Sequence, residues 1–303
     1  LAGGIGLVYT GLTALWAVML ALAGMDIFDA VAHSMTTLAT GGYSTRTASI
    51  VAFDSIAVEW IIITGMIVGS LPFAHYLAMV RGGWRSLLND PQVRWFLILA
   101  VGLVLLLIWH LMQTGLGFGE AVRQASFNGV SIMTGTGYVS ANFSAWGGFA
   151  TTILLIVMFI GGCGGSTTCG IKVFRLQVLA STAKVQISRL LRPHAVVLAY
   201  YNKRPVSVEV MDSVMGFFYL FILGFVLIAI MLGMAGLDFV TALSGAATSI
   251  SNVGPGLGEV IGADGNFSTL PDSAKWIMSF AMLLGRLEIF TVLVMLNPAF
   301  WQR

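Results

Sequence analysis

Charge is what this chain lacks most. Asp, Glu, Lys and Arg make up 9% of its 303 residues and apolar residues 57%, with a mean hydropathy of +0.91. Soluble globular domains carry about 25% charged residues, so that class is excluded and the chain reads as an integral membrane protein. Cysteine is scarce as well: Cys163 and Cys169 cannot build a disulfide framework and are expected to pack as small residues. His33, His75, His110 and His194 are scattered without metal-ligand spacing and are expected to be structural. No nucleophile–base or metal cluster is visible, which argues against a membrane enzyme and against a bound cofactor. No basic run precedes the first apolar stretch, so no cleavable signal peptide is evident. With no initiator Met, the chain is expected to begin partway through a longer protein.

The longest charge-free run, Gln124 to Ile171, contains the polar, glycine-bearing segment Met133-Thr134-Gly135-Thr136-Gly137-Tyr138. Polar backbone at membrane depth is tolerated only where it is buried in protein or lines a watery path. Glycine accepts backbone angles that turn successive carbonyls to one side, and a ring of carbonyls can replace the water around a potassium ion. Related copies stand at Thr40-Gly41-Gly42-Tyr43 and Asn252-Val253-Gly254-Pro255. Asp26 and Asp238 each lie 16 residues before Gly42 and Gly254, and Glu120 lies 17 before Gly137. The runs Asp29 to Leu38, Glu120 to Met133 and Asp238 to Ile250 then suit short re-entrant helices, with acids at their N-termini and the negative dipole end aimed at the glycine. A single glycine would more simply be a helix-packing site. Three copies with matched acids favour three units of helix, re-entrant helix, glycine loop and helix.

Apolar spans are expected at Ala2 to Ala23, Trp60 to Val80 with a kink at Pro72, Trp95 to Met112, Trp146 to Val173, Ser213 to Ala235 and Ala274 to Leu296. The organisation expected from these is a repeat over 1–80, a cytoplasmic loop over 81–94, a second repeat over 95–175, a basic connector over 176–212 and a third repeat over 213–303. Arg81, Arg85, Arg94, Lys172, Arg175, Lys184, Arg189, Arg192, Lys203, Arg204 and Arg303 place 11 of the 15 basic residues on one side. The positive-inside rule makes that side cytoplasmic. The glycine loops then face outward with Asp26, Asp29, Asp54, Glu59, Glu120, Asp238, Glu259, Asp264 and Asp272. Such acids could form a cation-concentrating vestibule, although most of them are individually better read as loop charges or helix caps.

The fourth span is expected to break, because Gly161-Gly162-Cys163-Gly164-Gly165-Ser166-Thr167-Thr168-Cys169-Gly170 carries five glycines in ten residues, at up to ~1 kcal/mol each in a helix. A phosphate-binding loop is excluded by residue order, since Gly170 is followed by Ile171 and Lys172 where that motif needs Lys and then Ser or Thr. A loop protruding into a permeation path fits better. Arg286 and Glu288 fall midway along the sixth span, where a charge must face water or a partner. Two apart on a helix they point in different directions, and a pore-facing role for Arg286 as an electrostatic barrier is preferred to packing.

Together, Ala39-Thr40-Gly41-Gly42-Tyr43-Ser44-Thr45, Thr134-Gly135-Thr136-Gly137-Tyr138, Gly161 to Thr167 with Gly170-Ile171-Lys172, and Leu284-Gly285-Arg286-Leu287-Glu288 resemble the Trk/Ktr/HKT superfamily of potassium transporters, in its bacterial TrkH branch. The resemblance covers nearly the whole chain. It implies an all-α membrane fold in which four linked helix–pore loop–helix repeats surround one pseudo-fourfold pore. Three repeats are recognisable here, so the chain is expected to be the later part of a four-repeat protein. The resemblance further implies a selectivity filter at Thr40, Gly41, Gly42, Tyr43, Thr134, Gly135, Thr136, Gly137, Tyr138, Asn252, Val253 and Gly254, with the potassium ion as substrate. It implies gating by Gly161, Gly162, Cys163, Gly164, Gly165, Ser166, Thr167 and Lys172, and by Arg286. Implied partners are a second copy of the chain and a cytoplasmic nucleotide-binding ring of the TrkA/KtrA kind. The implied location is the bacterial inner membrane, and no nucleic-acid partner is implied. A secondary transporter coupling potassium to protons or sodium, or a sodium-permeable member of the superfamily, is the alternative. Replacing Gly137 by serine is expected to weaken potassium preference and leave the fold intact.

Overall fold

The computed structural model describes residues 2–80, 82–83, 85–192, 194–195, 197–287 and 289–301. Three times the chain runs from a long apolar helix through a short helix and a glycine loop into a returning helix. In the first unit these are α1 (Ala2–Leu22), α2 (Ile27–Leu38) and α3 (Ile56–Gly69), with α4 (Phe73–Val80) beyond. The short α5 (Arg85–Asn89) leads to α6 (Pro91–Gln113), α7 (Phe118–Met133) and α8 (Gly148–Val157) of the second unit. After α9 (Val173–Leu191) and a hairpin of β1 (Tyr200–Tyr201) and β2 (Arg204–Pro205), the third unit comprises α10 (Val208–Met234), α11 (Phe239–Ser251), α12 (Gly258–Ile261) and α13 (Asp272–Arg286). Two further helices, α14 (Ile289–Leu296) and α15 (Pro298–Trp301), complete the described chain.

Each unit has its own apolar core. Leu20, Ile62 and Met66 are buried in the first, Phe96, Leu107 and Leu154 in the second, and Leu232, Ala246 and Ala274 in the third. The long helices bury only one edge. Ile98, Val101 and Leu105 of α6 and Tyr219, Ile222 and Leu227 of α10 lie exposed on the outer face, which suits a surface bathed in lipid rather than water. Helices α1, α6 and α10 are apolar over 21, 23 and 27 residues, enough to cross a ~30 Å hydrocarbon core.

The re-entrant helices begin where the acids place them. Asp26 caps α2 by accepting from the Phe28 amide at 3.2 Å, and Asp238 caps α11 by accepting from the Thr241 amide at 3.1 Å. Glu120 lies in the first turn of α7, which Gly117 caps. The Thr241 hydroxyl and then its amide hold the Asp238 carboxyl below its usual range, as expected of a cap in its charged form.

Three expectations from the sequence are corrected, and the basic connector gains a structure. The return of the first unit is not a kinked Trp60 to Val80 helix: α3 starts at Ile56 and α4 turns away by 94° after a break at Ser70–Pro72. The fifth span starts at Val208 rather than Ser213, so Glu209 and Asp212 lie in its opening turns. The basic segment after the glycine-rich loop is largely helical, as α9. Helix α13 of the sixth span ends at Arg286, with Leu287 as its C-cap, and Gly285 lies close against the end of α11: a Cβ there would stand 1.9 Å from the Ile250 carbonyl. Arg286 therefore sits at a helix end, not midway along one, and Glu288 lies outside the described residues.

Candidate functional site

All three glycine loops leave their helices in the same way. The residue two before each key glycine is left-handed: Thr40 at φ 48°, Gly135 at 65° and Asn252 at 54°. Glycine and asparagine accept that region, whereas a β-branched threonine is an outlier there, strained by about 1–2 kcal/mol. Six residues before each glycine stands a hydroxyl that ties the loop to its own helix. Thr36 Oγ1 donates to the Tyr43 carbonyl at 2.9 Å and Ser131 Oγ to the Tyr138 carbonyl at 2.7 Å, while Thr248 Oγ1 accepts from the Gly254 amide at 2.9 Å. No one of these hydroxyls was singled out from the sequence, although aligning the three copies on their glycines reveals them.

The loops meet backbone to backbone. A Cβ on Gly42 would stand 1.8 Å from the Thr136 carbonyl oxygen, and one on Gly137 would stand 2.1 Å from the Val253 carbonyl oxygen; one on Gly254 would lie 3.5 Å from Gly137 Cα. Gly41, Gly42, Tyr43, Thr136, Gly137, Asn252, Val253 and Gly254 line one depression of about 450 Å³. Thr40 and Thr134 are buried beneath it, and the Thr134 hydroxyl pairs with that of Thr136 at 2.7 Å. Asn252 ties the third loop to α13 through the Met282 carbonyl at 3.1 Å. The two tyrosines differ: Tyr43 is 79% exposed, whereas Tyr138 is fully buried in the core of the first unit, its hydroxyl 2.5 Å from Thr36 Oγ1.

The anticipated acidic vestibule is not what surrounds these loops. Among the described residues no carboxylate lines the depression, and Arg46 does. Most of the outer acids are engaged locally. Asp29 accepts from Arg46 at 2.7 Å and from Thr45 at 2.6 Å, and Glu59, 2% exposed, takes a two-point bond from Arg123 at 2.7 and 2.8 Å. Asp264 pairs with Asn142. Three of the histidines are engaged structurally, His33 between the Asp29 carbonyl and Ser44, His75 between Ser86 and Asp90, and His110 with the Trp146 carbonyl.

Below the depression, the glycine-rich stretch forms a loop closed at its neck. Gly161 N donates to the Ile171 carbonyl and Ile171 N to the Phe159 carbonyl, both at 2.9 Å. The loop is anchored by the broken first return: Cys163 N bonds the Ser70 carbonyl at 2.9 Å, Thr167 N the Gly69 carbonyl at 3.2 Å, and the Gly165 carbonyl takes the Phe73 amide at 3.1 Å. Gln92 of α6 accepts from Gly164 N at 2.8 Å, a support that nothing in the residue order announces. Within the loop, Ser166 Oγ donates to the Cys163 carbonyl at 2.6 Å, and Gly162 N donates to Thr168 Oγ1 at 2.9 Å. Lys172 bonds back to the carbonyl and hydroxyl of Thr168. Arg286 reaches the loop from α13, its Nη1 standing 2.6 Å from Cys169 Sγ and 3.3 Å from the Thr167 carbonyl. The loop, Lys172, Arg175 and Arg286 bound a cavity of about 240 Å³. The two sets of residues read from the sequence thus gather at two places, the glycine loops around one depression and the glycine-rich stretch with Lys172, Arg175 and Arg286 around a separate cavity.

The family model described as TrkH, a cation transport protein, matches residues 5–303. The chain belongs to that family. It is similar to the Trk system potassium uptake protein TrkI of Halomonas elongata, 44% identical over 298 residues, which are 98% of this chain and 60% of the relative. It is also similar to TrkH of Escherichia coli strain K12, 36% identical over 304 residues, covering 98% of this chain and 61% of the relative. The crystal structure of the potassium transporter TrkH from Vibrio parahaemolyticus superimposes with a TM-score of 0.93 at 37% identity, over 99% of this chain and 64% of that one. The chain therefore spans about 60% of the length of these family members.

Proposed function

We propose that this chain supplies three of the filter loops of a potassium uptake channel or transporter of the cytoplasmic membrane. The observation that carries the reading is the backbone contact of Gly42 with Thr136 and of Gly137 with Val253 at the C-terminal ends of successive re-entrant helices. Three helix dipoles then converge on one small region, a preorganised environment for a desolvated cation. The potassium relatives supply the ion's identity. The glycine loops face outward, and the Gly161 to Gly170 loop with Arg286 forms the gate beneath them. A second copy of the chain and a cytoplasmic nucleotide-binding ring acting on α9 complete the assembly in this reading.

The test is ion flux through the full-length protein in proteoliposomes. Reversal potentials are expected to follow the potassium gradient and to ignore imposed proton or sodium gradients. A reversal potential that moved with either would replace the passive pore by a coupled carrier. In the same preparation Arg286→Ala is expected to raise flux without the regulator, and flux at or below the unmodified level in a folded variant would remove Arg286 from the gate.

A further inference from the structure

Thr167 belongs to the glycine-rich loop, yet most of its partners lie in the first filter unit. Its hydroxyl stands 2.9 Å from the Leu38 carbonyl at the end of α2 and 2.9 Å from the Gly69 carbonyl at the end of α3. The same hydroxyl oxygen accepts from the Thr40 hydroxyl at 3.3 Å, while its backbone carbonyl takes the bond from Arg286. Filter, broken helix and pore arginine therefore meet at one residue.

What Thr167 touches is the strained member of the three loops. Thr40 holds φ at 48°, where its counterparts are the better suited Gly135 and Asn252. Its methyl is packed against Gly69, where a Cβ would come within 3.3 Å of Thr40 Cγ2. Among the described residues no hydrogen bond joins the glycine-rich loop to the second or third filter loop, so the tie is confined to the first. A strained backbone persists only while its surroundings over-determine it.

We infer that Thr167 is a specificity-determining residue that clamps the first filter loop in its strained shape, so that the position of the gating loop sets ion discrimination as well as flux. The inference rests on the filter and gate reading above. When the loop withdraws, its hydroxyl leaves Leu38 and Thr40 and the left-handed turn at Thr40 relaxes. Gly42 then shifts against the Thr136 carbonyl that it touches.

The experiment compares Thr167→Val, Thr167→Ser and the double variant Thr40→Gly with Thr167→Val in the full-length protein, reading the potassium-to-sodium permeability ratio under bi-ionic conditions. Valine keeps the shape and removes the hydroxyl, and is expected to lower the ratio at least fivefold. Serine keeps the hydroxyl and is expected to hold the ratio within twofold. The double variant is expected to recover most of the loss, because glycine adopts the left-handed turn without a clamp. Purified protein offers a second readout: thermal stabilisation by KCl over NaCl should disappear in Thr167→Val and return in the double variant. A ratio and a KCl stabilisation unchanged in Thr167→Val, whether or not flux rises, would overturn the coupling while leaving the filter reading intact. A serine variant as impaired as valine, or a double variant no better than Thr167→Val, would overturn it too. Absence of potassium preference in the unmodified protein would remove the underlying reading and this inference with it.

Discussion

The first and second glycine loops start from nearly the same letters, Thr-Gly-Gly-Tyr and Gly-Thr-Gly-Tyr, and end in different surroundings. In the second, the left-handed position is a glycine, the tyrosine is buried in the core of the preceding unit, and Asn128 ties the outgoing strand to α7 through Ser140 N at 3.1 Å. The first puts a threonine in the left-handed position, exposes its tyrosine and leans on the glycine-rich loop below. Equivalent sequence does not give equivalent mechanics: the second loop is held by its own unit and its neighbour, whereas the first adds to the tie from its own helix a tie to the glycine-rich loop.

The largest expected effects test how tightly the loops touch. In Gly42→Ala or Gly137→Ala the new methyl would stand 1.8 or 2.1 Å from a carbonyl oxygen of the next loop, so backbone must move. Overpacking of that kind costs about 1–3 kcal/mol, and a left-handed non-glycine residue adds about 1–2 kcal/mol. The expectation that Gly137→Ser leaves the fold intact is revised accordingly. Gly254→Ala meets its nearest atom at 3.5 Å and carries only the backbone strain of its φ of 119°. Thermal unfolding in detergent should rank Gly42→Ala and Gly137→Ala well below Gly254→Ala. Equal melting temperatures for all three would mean that the loops do not bear on one another.

A smaller effect separates a tie between units from one within a unit. Arg123 of α7 reaches across to Glu59 of α3, and Arg123→Ala would leave that carboxylate buried alone. Losing one partner of a buried pair costs about 3–5 kcal/mol, and the lower end is expected because the Arg123 side chain is 32% exposed. Within the first unit, Arg46 pairs with Asp29 from a side chain that is 54% exposed, and the buried Asp29 carboxylate keeps the Thr45 hydroxyl at 2.6 Å when the guanidinium is removed, so Arg46→Ala should cost less than Arg123→Ala. The same unfolding measurement decides, and an Arg46→Ala loss equal to that of Arg123→Ala would reverse the assignment.

Spacing alone made the three glycine loops, the acids at the helix starts and the break at Gly161 to Gly170 legible. Each is a local matter of backbone freedom, capping or helix propensity. The end of α13 at Arg286 was not legible, and neither was the close approach of Gly285 to Ile250 of another helix. A kink at Pro72 was legible, but its 94° angle and its bonding partners, almost a hundred residues away in the loop, were not. Arg123 and Glu59, read separately as a residue within a helix and an outward-facing acid, are a pair only in three dimensions.

The smallest effect isolates the comparison to one atom in each loop. Tyr138→Phe keeps the buried ring and removes the hydroxyl that lies 2.5 Å from Thr36 Oγ1 and 3.3 Å from the His33 carbonyl. Thr36 retains its bond to the Tyr43 carbonyl, so the net loss should be that of one buried hydrogen bond, about 1 kcal/mol. Tyr43→Phe removes a hydroxyl from a ring that is 79% exposed, and exposed substitutions of this kind fall within about 0.5 kcal/mol of neutral. Because the two changes are chemically identical, their difference in melting temperature reads the surroundings and nothing else. If Tyr43→Phe destabilised the protein as much as Tyr138→Phe, the first tyrosine would be as firmly engaged as the second, and the contrast between a loop whose tyrosine is locked in a core and one that leans on the glycine-rich loop would fail.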